Sequence, residues 1–179
     1  MTPVQSSGPV GLGGVINRTR ALVMSSTPRE RAAPDPEGLI LIQAWPGGAA
    51  YMWETDDQRQ CDGTADLEVV WIQRCNLHPV DPPISSPAGV HSLGTFFTDG
   101  WVRVIGTDHQ EVVGAFCGNA PLEVHRVGTI LGGARTVYAL WFPNYTKGSV
   151  TVVLDHEGVT SRTSLHLGDV GDLSCTPTP

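Results

Sequence analysis

Turn-forming residues punctuate the chain at short intervals from Leu39 to Leu167, and this punctuation constrains the fold more than any other feature. Pro46–Gly48, Asp62–Gly63, Asp99–Gly100, Thr107–Asp108, Gly118–Asn119, Gly132–Gly133, Pro143–Asn144 and Asp155–Gly158 each divide one short apolar run from the next. Glycine admits positive φ, proline presets φ, and Asp and Asn bond their own backbone, so such clusters stop the chain rather than extend a helix. With 21 Gly, 14 Pro and only 16% charged residues, the Glu-, Lys- and Ala-rich runs of long amphipathic helices are missing.

The runs between the turns read as strands. Leu39 to Trp45 is almost continuously apolar, as in a strand covered on both faces. After Pro46–Gly48 the chain returns with Tyr51 and Trp53 on one face and Ala50 and Met52 on the other, the clearest hairpin. Leu67, Val69 and Trp71 alternate into Cys75. Residues 76–92 hold Pro79, Pro82, Pro83 and Pro87 and cannot enter a central sheet. Thr136 to Phe142 is apolar on both faces, which predicts a covered strand with a structural Trp141. The expected fold is all-β: a single antiparallel β-sandwich or small β-barrel of about nine or ten strands, preceded by an irregular N-terminal arm. Residues 1–35, rich in Gly, Ser, Thr and Pro, form that arm, flexible or packing, with one apolar stretch from Val15 to Met24 that fits a short helix or a packing strand. Residues 36–170 form the β-rich domain and 171–179 a C-terminal tail. The arm carries too little apolar surface to belong to the main core, so removing residues 1–33 is expected to leave a folded domain.

Charge narrows the partners. The net charge is −7, and the cations are ten arginines and one lysine, Lys147, a bias that fits GC-rich coding. Without a basic patch, nucleic acid and anionic membrane surfaces are not expected partners. No window approaches the roughly 18 apolar residues of a membrane span. Residues 1–33 lack a signal-peptide apolar region, since Asn17, Arg18 and Arg20 interrupt Val15, Ile16, Leu22 and Val23. An exported form is therefore expected to carry a signal or anchor outside this sequence.

Four cysteines, Cys61, Cys75, Cys117 and Cys175, allow three pairings. An even count in a loop-rich, lysine-poor chain favours disulfides and an oxidising compartment. Cys61–Cys75 would close a loop of 15 residues, and Cys117–Cys175 would tie down the tail. The competing readings are free thiols and a zinc site built from Cys61, Cys75 and His78, which lacks a fourth ligand. A Cys117 nucleophile with His125 as base has no supporting signature in its flanks.

The remaining polar residues point to turns rather than chemistry. His78, His91, His109, His125, His156 and His166 are scattered singly, with no metal-ligand spacing. Asp99, Asp108 and Asp155 sit at strand-to-strand turns, where aspartate is favoured by its own backbone bonds, without calcium-loop spacing. Alanine at Asp108, His109 or His125 is accordingly expected to leave folding nearly unchanged. Gly11–Gly14 follows no strand and has no phosphate-binding lysine. Asn17–Arg18–Thr19 and Asn144–Tyr145–Thr146 match the glycosylation pattern, relevant only in a eukaryotic secretory host. No catalytic residue, metal or cofactor is expected.

Aromatics are the most suggestive feature. Trp45, Tyr51, Trp53, Trp71, Trp101, Tyr138 and Trp141 lie on or beside the expected strands, where most should be core. Trp45 and Trp101 stand next to turns, and with Tyr138 they are the candidates to line a ligand groove.

Several pieces taken in order carry a resemblance. They are Cys61 after a hairpin, a strand ending in Cys75, and Leu122–Glu123–Val124–His125–Arg126–Val127. The strand Tyr138–Ala139–Leu140–Trp141–Phe142–Pro143 follows, and then Val150 to Leu154 closing on Asp155 and Gly158. Over residues 39–167 this order resembles the extracytoplasmic β-domains that follow a single membrane anchor in GC-rich Gram-positive bacteria. The resemblance implies location and architecture rather than chemistry.

The leading functional expectation is a non-enzymatic extracytoplasmic interaction or sensing module, with function carried by loops at one end of a sandwich. Its ligand is an unidentified protein or small molecule. The alternatives are a small β-barrel that binds a hydrophobic ligand or acts as a cyclase-type enzyme, and a structural assembly subunit with an exchanged N-terminal arm. A cytoplasmic location is the alternative to an extracytoplasmic or secreted one.

Overall fold

A computed structural model describes residues 10–84, 89–98, 100–142, 144, 146–168 and 175–177. The chain divides into two compact units, residues 1–80 and 81–179, with the boundary in the proline-rich connection rather than ahead of Leu39.

The N-terminal unit begins with a helix, α1 (Val10–Ser26), where an irregular arm was expected. Two short 3₁₀ turns, Arg29–Arg31 and Pro36–Gly38, lead into the strands β1 (Ile40–Trp45), β2 (Gly48–Glu54), β3 (Gln60–Asp66) and β4 (Val70–Cys75). These four form one antiparallel meander in chain order. Val15, Thr19 and Val23, spaced four apart, are the buried positions of α1. Of the short helix or packing strand that Val15 to Met24 allowed, the structure has the helix, with Thr19 in a core position and its hydroxyl bonded to the Val15 carbonyl at 2.8 Å.

The polar tips of the β2 aromatics reach back to this N-terminal segment. The Tyr51 hydroxyl donates to the Ile16 carbonyl and lies against the Thr19 hydroxyl, both at 2.9 Å. Trp53 Nε1 donates to the Arg31 carbonyl at 2.5 Å. Val23, Ala33, Leu39, Ala49, Tyr51, Trp53, Cys61 and Ala65 make one core. Residues 10–33 therefore belong to the core of their unit. The β1–β2 turn depends on Gly48, where a Cβ would stand 2.4 Å from the Ala65 carbonyl and 2.7 Å from the Trp45 ring. Cys61 and Cys75 are direct cross-strand neighbours on β3 and β4 and form a disulfide.

The C-terminal unit is a sandwich of two antiparallel sheets. One is ordered β5 (Val90–Thr98), β6 (Gly100–Asp108), β10 (Arg135–Phe142), β9 (Glu123–Ile130). The other is ordered β12 (Val159–Leu167), β11 (Thr146–His156), β7 (Glu111–Cys117), β8 (Ala120–Pro121). Written in chain order from β5, this is the A-B-E-D and G-F-C-C′ arrangement of immunoglobulin-type sandwiches. Trp101, Ile105, Tyr138, Leu140 and Phe142 from the first sheet meet Val150, Val152, Leu154, Leu165 and Leu167 from the second. The described strands of the whole chain form open sheets, with no closed barrel.

No cysteine pins one sheet to the other through β6 and β11. Cys117 at the end of β7 is instead bonded to Cys175, and the residues after it form a short strand, β13 (Thr176–Pro177), paired to the start of β11. Part of the expected C-terminal tail is thus held in place. On β10, Val137 through Leu140 are buried on both faces as expected, but Trp141 is only half-buried and stacks on His125 with ring centroids 4.9 Å apart.

Asp108 corrects the sequence reading. Taken as a turn aspartate, it is buried at the end of β6 directly opposite Arg135 on β10. Its carboxylate accepts from Arg135 Nε at 2.7 Å and Nη2 at 2.9 Å, and from the Ile84 amide at 3.1 Å; His91 Nε2 lies 2.9 Å away. Gly106 clears the space for the Arg135 stem, since a Cβ there would come within 2.7 Å of it. Burial pushes the Asp108 carboxyl up. The Arg135 hydrogen bonds, the Ile84 amide and the charges of Arg135 and His91 overcome this and hold it at about 2.

Candidate functional site

The most unusual surface lies on the N-terminal unit, where β3 turns into β4. Asp66 begins the turn and bonds it internally, its Oδ1 accepting from the amides of Glu68 and Val69 at 2.7 Å each. Its other oxygen accepts from Trp71 Nε1 at 2.7 Å. These three donors, the Val69 and Glu68 amides foremost, hold the Asp66 carboxyl below the usual carboxylate range. From the helix side, Arg18 Nε donates to the Leu67 carbonyl.

The result is a stiff turn that presents apolar side chains outward. Leu67 and Val69 are exposed, the Trp71 ring is 68% exposed, and Leu77 beyond the strand is 88% exposed. β4 ends the order β1-β2-β3-β4, so among the described residues no strand pairs with its outer edge. The Cys61–Cys75 disulfide at the far end of the strand prevents it from peeling away. An indole whose orientation is fixed in advance, on an open strand edge, is suited to fill an apolar pocket on a partner at low ordering cost.

The three aromatics expected to line a groove do not assemble into one. Trp45 is half-buried in the N-terminal unit, its ring packed over Gly48. Trp101 is in the core of the C-terminal sandwich, stacked on Phe142 with centroids 4.7 Å apart. Tyr138 is also core; it borders a shallow cleft of about 450 Å³ on the sandwich flank, with Phe116, Leu122 and Val124.

Two further clefts, of about 620 and 630 Å³, lie at the end of the sandwich where the β6–β7, β9–β10 and β11–β12 connections meet. They share Gln110, His156 and Glu157. The ring of His156 is fixed by its Nδ1, which lies 2.5 Å from the His109 carbonyl.

The candidate chemistries dissolve on inspection of the geometry. All four cysteines are in disulfides, Cys61–Cys75 and Cys117–Cys175, so neither a zinc site on Cys61, Cys75 and His78 nor a Cys117 nucleophile exists. His125 is engaged with Glu123 at 2.6 Å and with the Trp141 ring. Asp108 is committed to Arg135, and Asp155 accepts from the Gly158 amide at 3.1 Å. Asp99 lies outside the described residues. Among the described residues no three His, Cys, Asp or Glu side chains converge to hold a metal.

The sequence reading missed the exposure of Trp71. Val69–Val70–Trp71–Ile72 is apolar at every position, so alternation could not say which face is wet. Asp66, five residues ahead, was the available signal, since a turn aspartate there can reach the indole. No family model, curated protein or solved structure matches the chain.

Proposed function

We propose that the protein is a non-enzymatic extracytoplasmic recognition module that binds a protein partner along the edge formed by Leu67, Val69 and Trp71. One observation carries this reading: the Trp71 indole is largely exposed yet held in a single orientation by Asp66. Scattered exposed apolar residues need no explanation, but a contiguous, rigidly supported aromatic patch on an open strand edge is a mark of an interaction surface. Two disulfides support an oxidising compartment, and no helix of the described residues is long and apolar enough to cross a membrane.

The reading is tested by selecting binders from a displayed random-peptide library against the full chain. Selected peptides should carry an apolar anchor and lose about tenfold or more in affinity against Trp71→Ala, as for a central interface residue. Alanine at Val113, an exposed apolar residue of the other unit, should leave them bound. Peptides that bind equally well to Trp71→Ala would overturn the reading. Alkylation of native material should find no free thiol, and four free thiols would remove the extracytoplasmic part of the proposal.

A further inference from the structure

We propose that the cleft at the turn-lined end of the C-terminal sandwich binds an alkylammonium group, as carried by a free diamine or by a lysine side chain. The site is independent of the Trp71 edge. Gln110, in the β6–β7 connection, is only 8% exposed, and its side-chain carbonyl oxygen is buried without any donor. The Thr107 hydroxyl, donating to the Gln110 backbone carbonyl at 2.6 Å, fixes the loop that carries it. Gln110 lines both adjoining clefts, so the amide stands in the wall between them. A buried acceptor without a donor is costly, and the terminal amide torsion is soft enough to turn its oxygen toward an arriving donor.

The charged side chains of the first cleft are all acidic. Glu111, Asp155 and Glu157 line the first cleft, which has no lysine or arginine in its wall. The His109 carbonyl can only accept, so His156 Nδ1 carries the proton toward it and the ring is fixed at the cleft. Three carboxylates and the unpaired Gln110 oxygen make the first cleft net negative and favour a cation with several donors. Among the described residues no three ligating side chains converge there to hold a metal. An ammonium group, with three rotatable donors and no fixed coordination geometry, meets these conditions. With Arg162 in its wall confining the ammonium itself to the first cleft, the second cleft adds Leu154 and the exposed Val159 beside the shared Gln110, His156 and Glu157. An apolar stem running from the ammonium would lie against them.

The test is titration of the full chain with cadaverine and, separately, with acetyl-Gly-Lys-Gly-amide, followed by amide resonances and calorimetry at low salt. Saturable binding of either, centred on Gln110 and Glu157, is expected. Cadaverine alone binding identifies a free amine as the ligand class; the peptide alone identifies a lysine side chain. The double variant Glu111→Gln, Glu157→Gln should weaken binding by about tenfold, the loss expected for a charge-assisted hydrogen bond. Gln110→Leu should abolish binding while retaining the wild-type melting temperature. If Gln110→Leu fails to fold, Gln110→Met, which keeps the length and flexibility of the side chain but removes the acceptor, should fold and likewise fail to bind. Binding of neither probe, equal binding of pentane-1,5-diol, preferential binding of calcium, or variants that bind like the wild type would each overturn the proposal.

Discussion

The two units solve the same problem, covering an antiparallel sheet, by different means. The C-terminal unit covers sheet with sheet, and its apolar faces are written plainly into β6, β10, β11 and β12. The N-terminal unit covers one face of a four-stranded meander with a helix of modest apolarity, fastened by Tyr51 and Trp53 hydrogen bonds to the N-terminal segment. The comparison also reverses in their polar groups. The sandwich buries an ion pair at Arg135 and Asp108, whereas the meander leaves its aromatic edge in water. Cover by a second sheet is thus readable from periodicity, while cover by a short helix with threonine in its core stripe is not.

The sharpest way to break that comparison is to remove the helix. Deleting residues 1–26 uncovers Ala49, Tyr51 and Trp53 and strands the Tyr51 hydroxyl. The loss should be about 5 kcal/mol or more, comparable with the whole stability of a small domain. Near-ultraviolet dichroism and limited proteolysis should show residues 36–80 unfolded and the sandwich intact. A truncated chain that melts like the full one would restore the picture of a dispensable arm.

In the sandwich, Arg135→Ala leaves a buried carboxylate uncompensated and should cost about 3–5 kcal/mol by chemical denaturation. Replacing both partners with apolar residues of similar volume, Arg135→Met with Asp108→Leu, should recover most of that loss. The same pair sets an acid limit. The folded carboxyl sits at about 2, below the ordinary value near 4. Its stabilisation is therefore fully present above about pH 4 and is lost as pH falls toward 2, amounting to about 2–3 kcal/mol. Wild type should lose stability across that window, and the Met/Leu double variant should lose less.

The disulfides offer a graded contrast. Cys117–Cys175 spans 58 positions and Cys61–Cys75 spans 14. In the chain-entropy account the first is worth about 4 kcal/mol and the second about 3. Paired Cys→Ser variants, each melted under non-reducing conditions, should rank in that order. The opposite ranking would mean that the short bridge, holding the β3–β4 ladder, acts mainly on the native strand pair.

What the sequence made legible follows from the same physics. The sandwich strands, the hairpin at Pro46–Gly48 and the Cys61–Cys75 bridge rest on local signals, namely turn chemistry, alternation and short spacing, whereas Asp62–Gly63, which reads as a turn, lies inside β3 because β2 and β4 pair with it on both sides. Asp108 and Arg135 stand 27 positions apart, and each alone looks like an ordinary surface residue. Only the register of β6 against β10 brings them together, and register is not local. Trp141 reads as core because β10 is apolar on both faces, but it alone of Val137 to Phe142 is only half-buried, between buried Leu140 and Phe142. The Gln110 cleft is illegible for a related reason, being assembled from three separate turns.

The smallest effect is expected where the function is proposed. Trp71→Ala removes a ring that is mostly in water, so stability should change by no more than about 0.5 kcal/mol, the usual range for surface substitutions. The Trp71 indole is nonetheless tied to Asp66, whose carboxyl is held low by the Val69 and Glu68 amides and by that indole itself. Protonating Asp66 weakens all three bonds, so the turn should loosen only when pH falls below the ordinary carboxylate range. Difference fluorescence between wild type and Trp71→Ala isolates the one indole. Its emission should stay constant from neutral pH downward and shift only in strong acid. In Asp66→Asn the single carbonyl oxygen can still accept from the Glu68 and Val69 amides, but the NH2 that replaces the other oxygen cannot accept from the indole, so the ring should already be released at neutral pH and the acid step should vanish. An emission that titrates near the ordinary carboxylate value, or an Asp66→Asn chain with the same acid step, would show that Asp66 does not fix the ring. The edge would then be an ordinary mobile tryptophan, and the contrast between a preorganised surface on one unit and a buried ion pair in the other would fail.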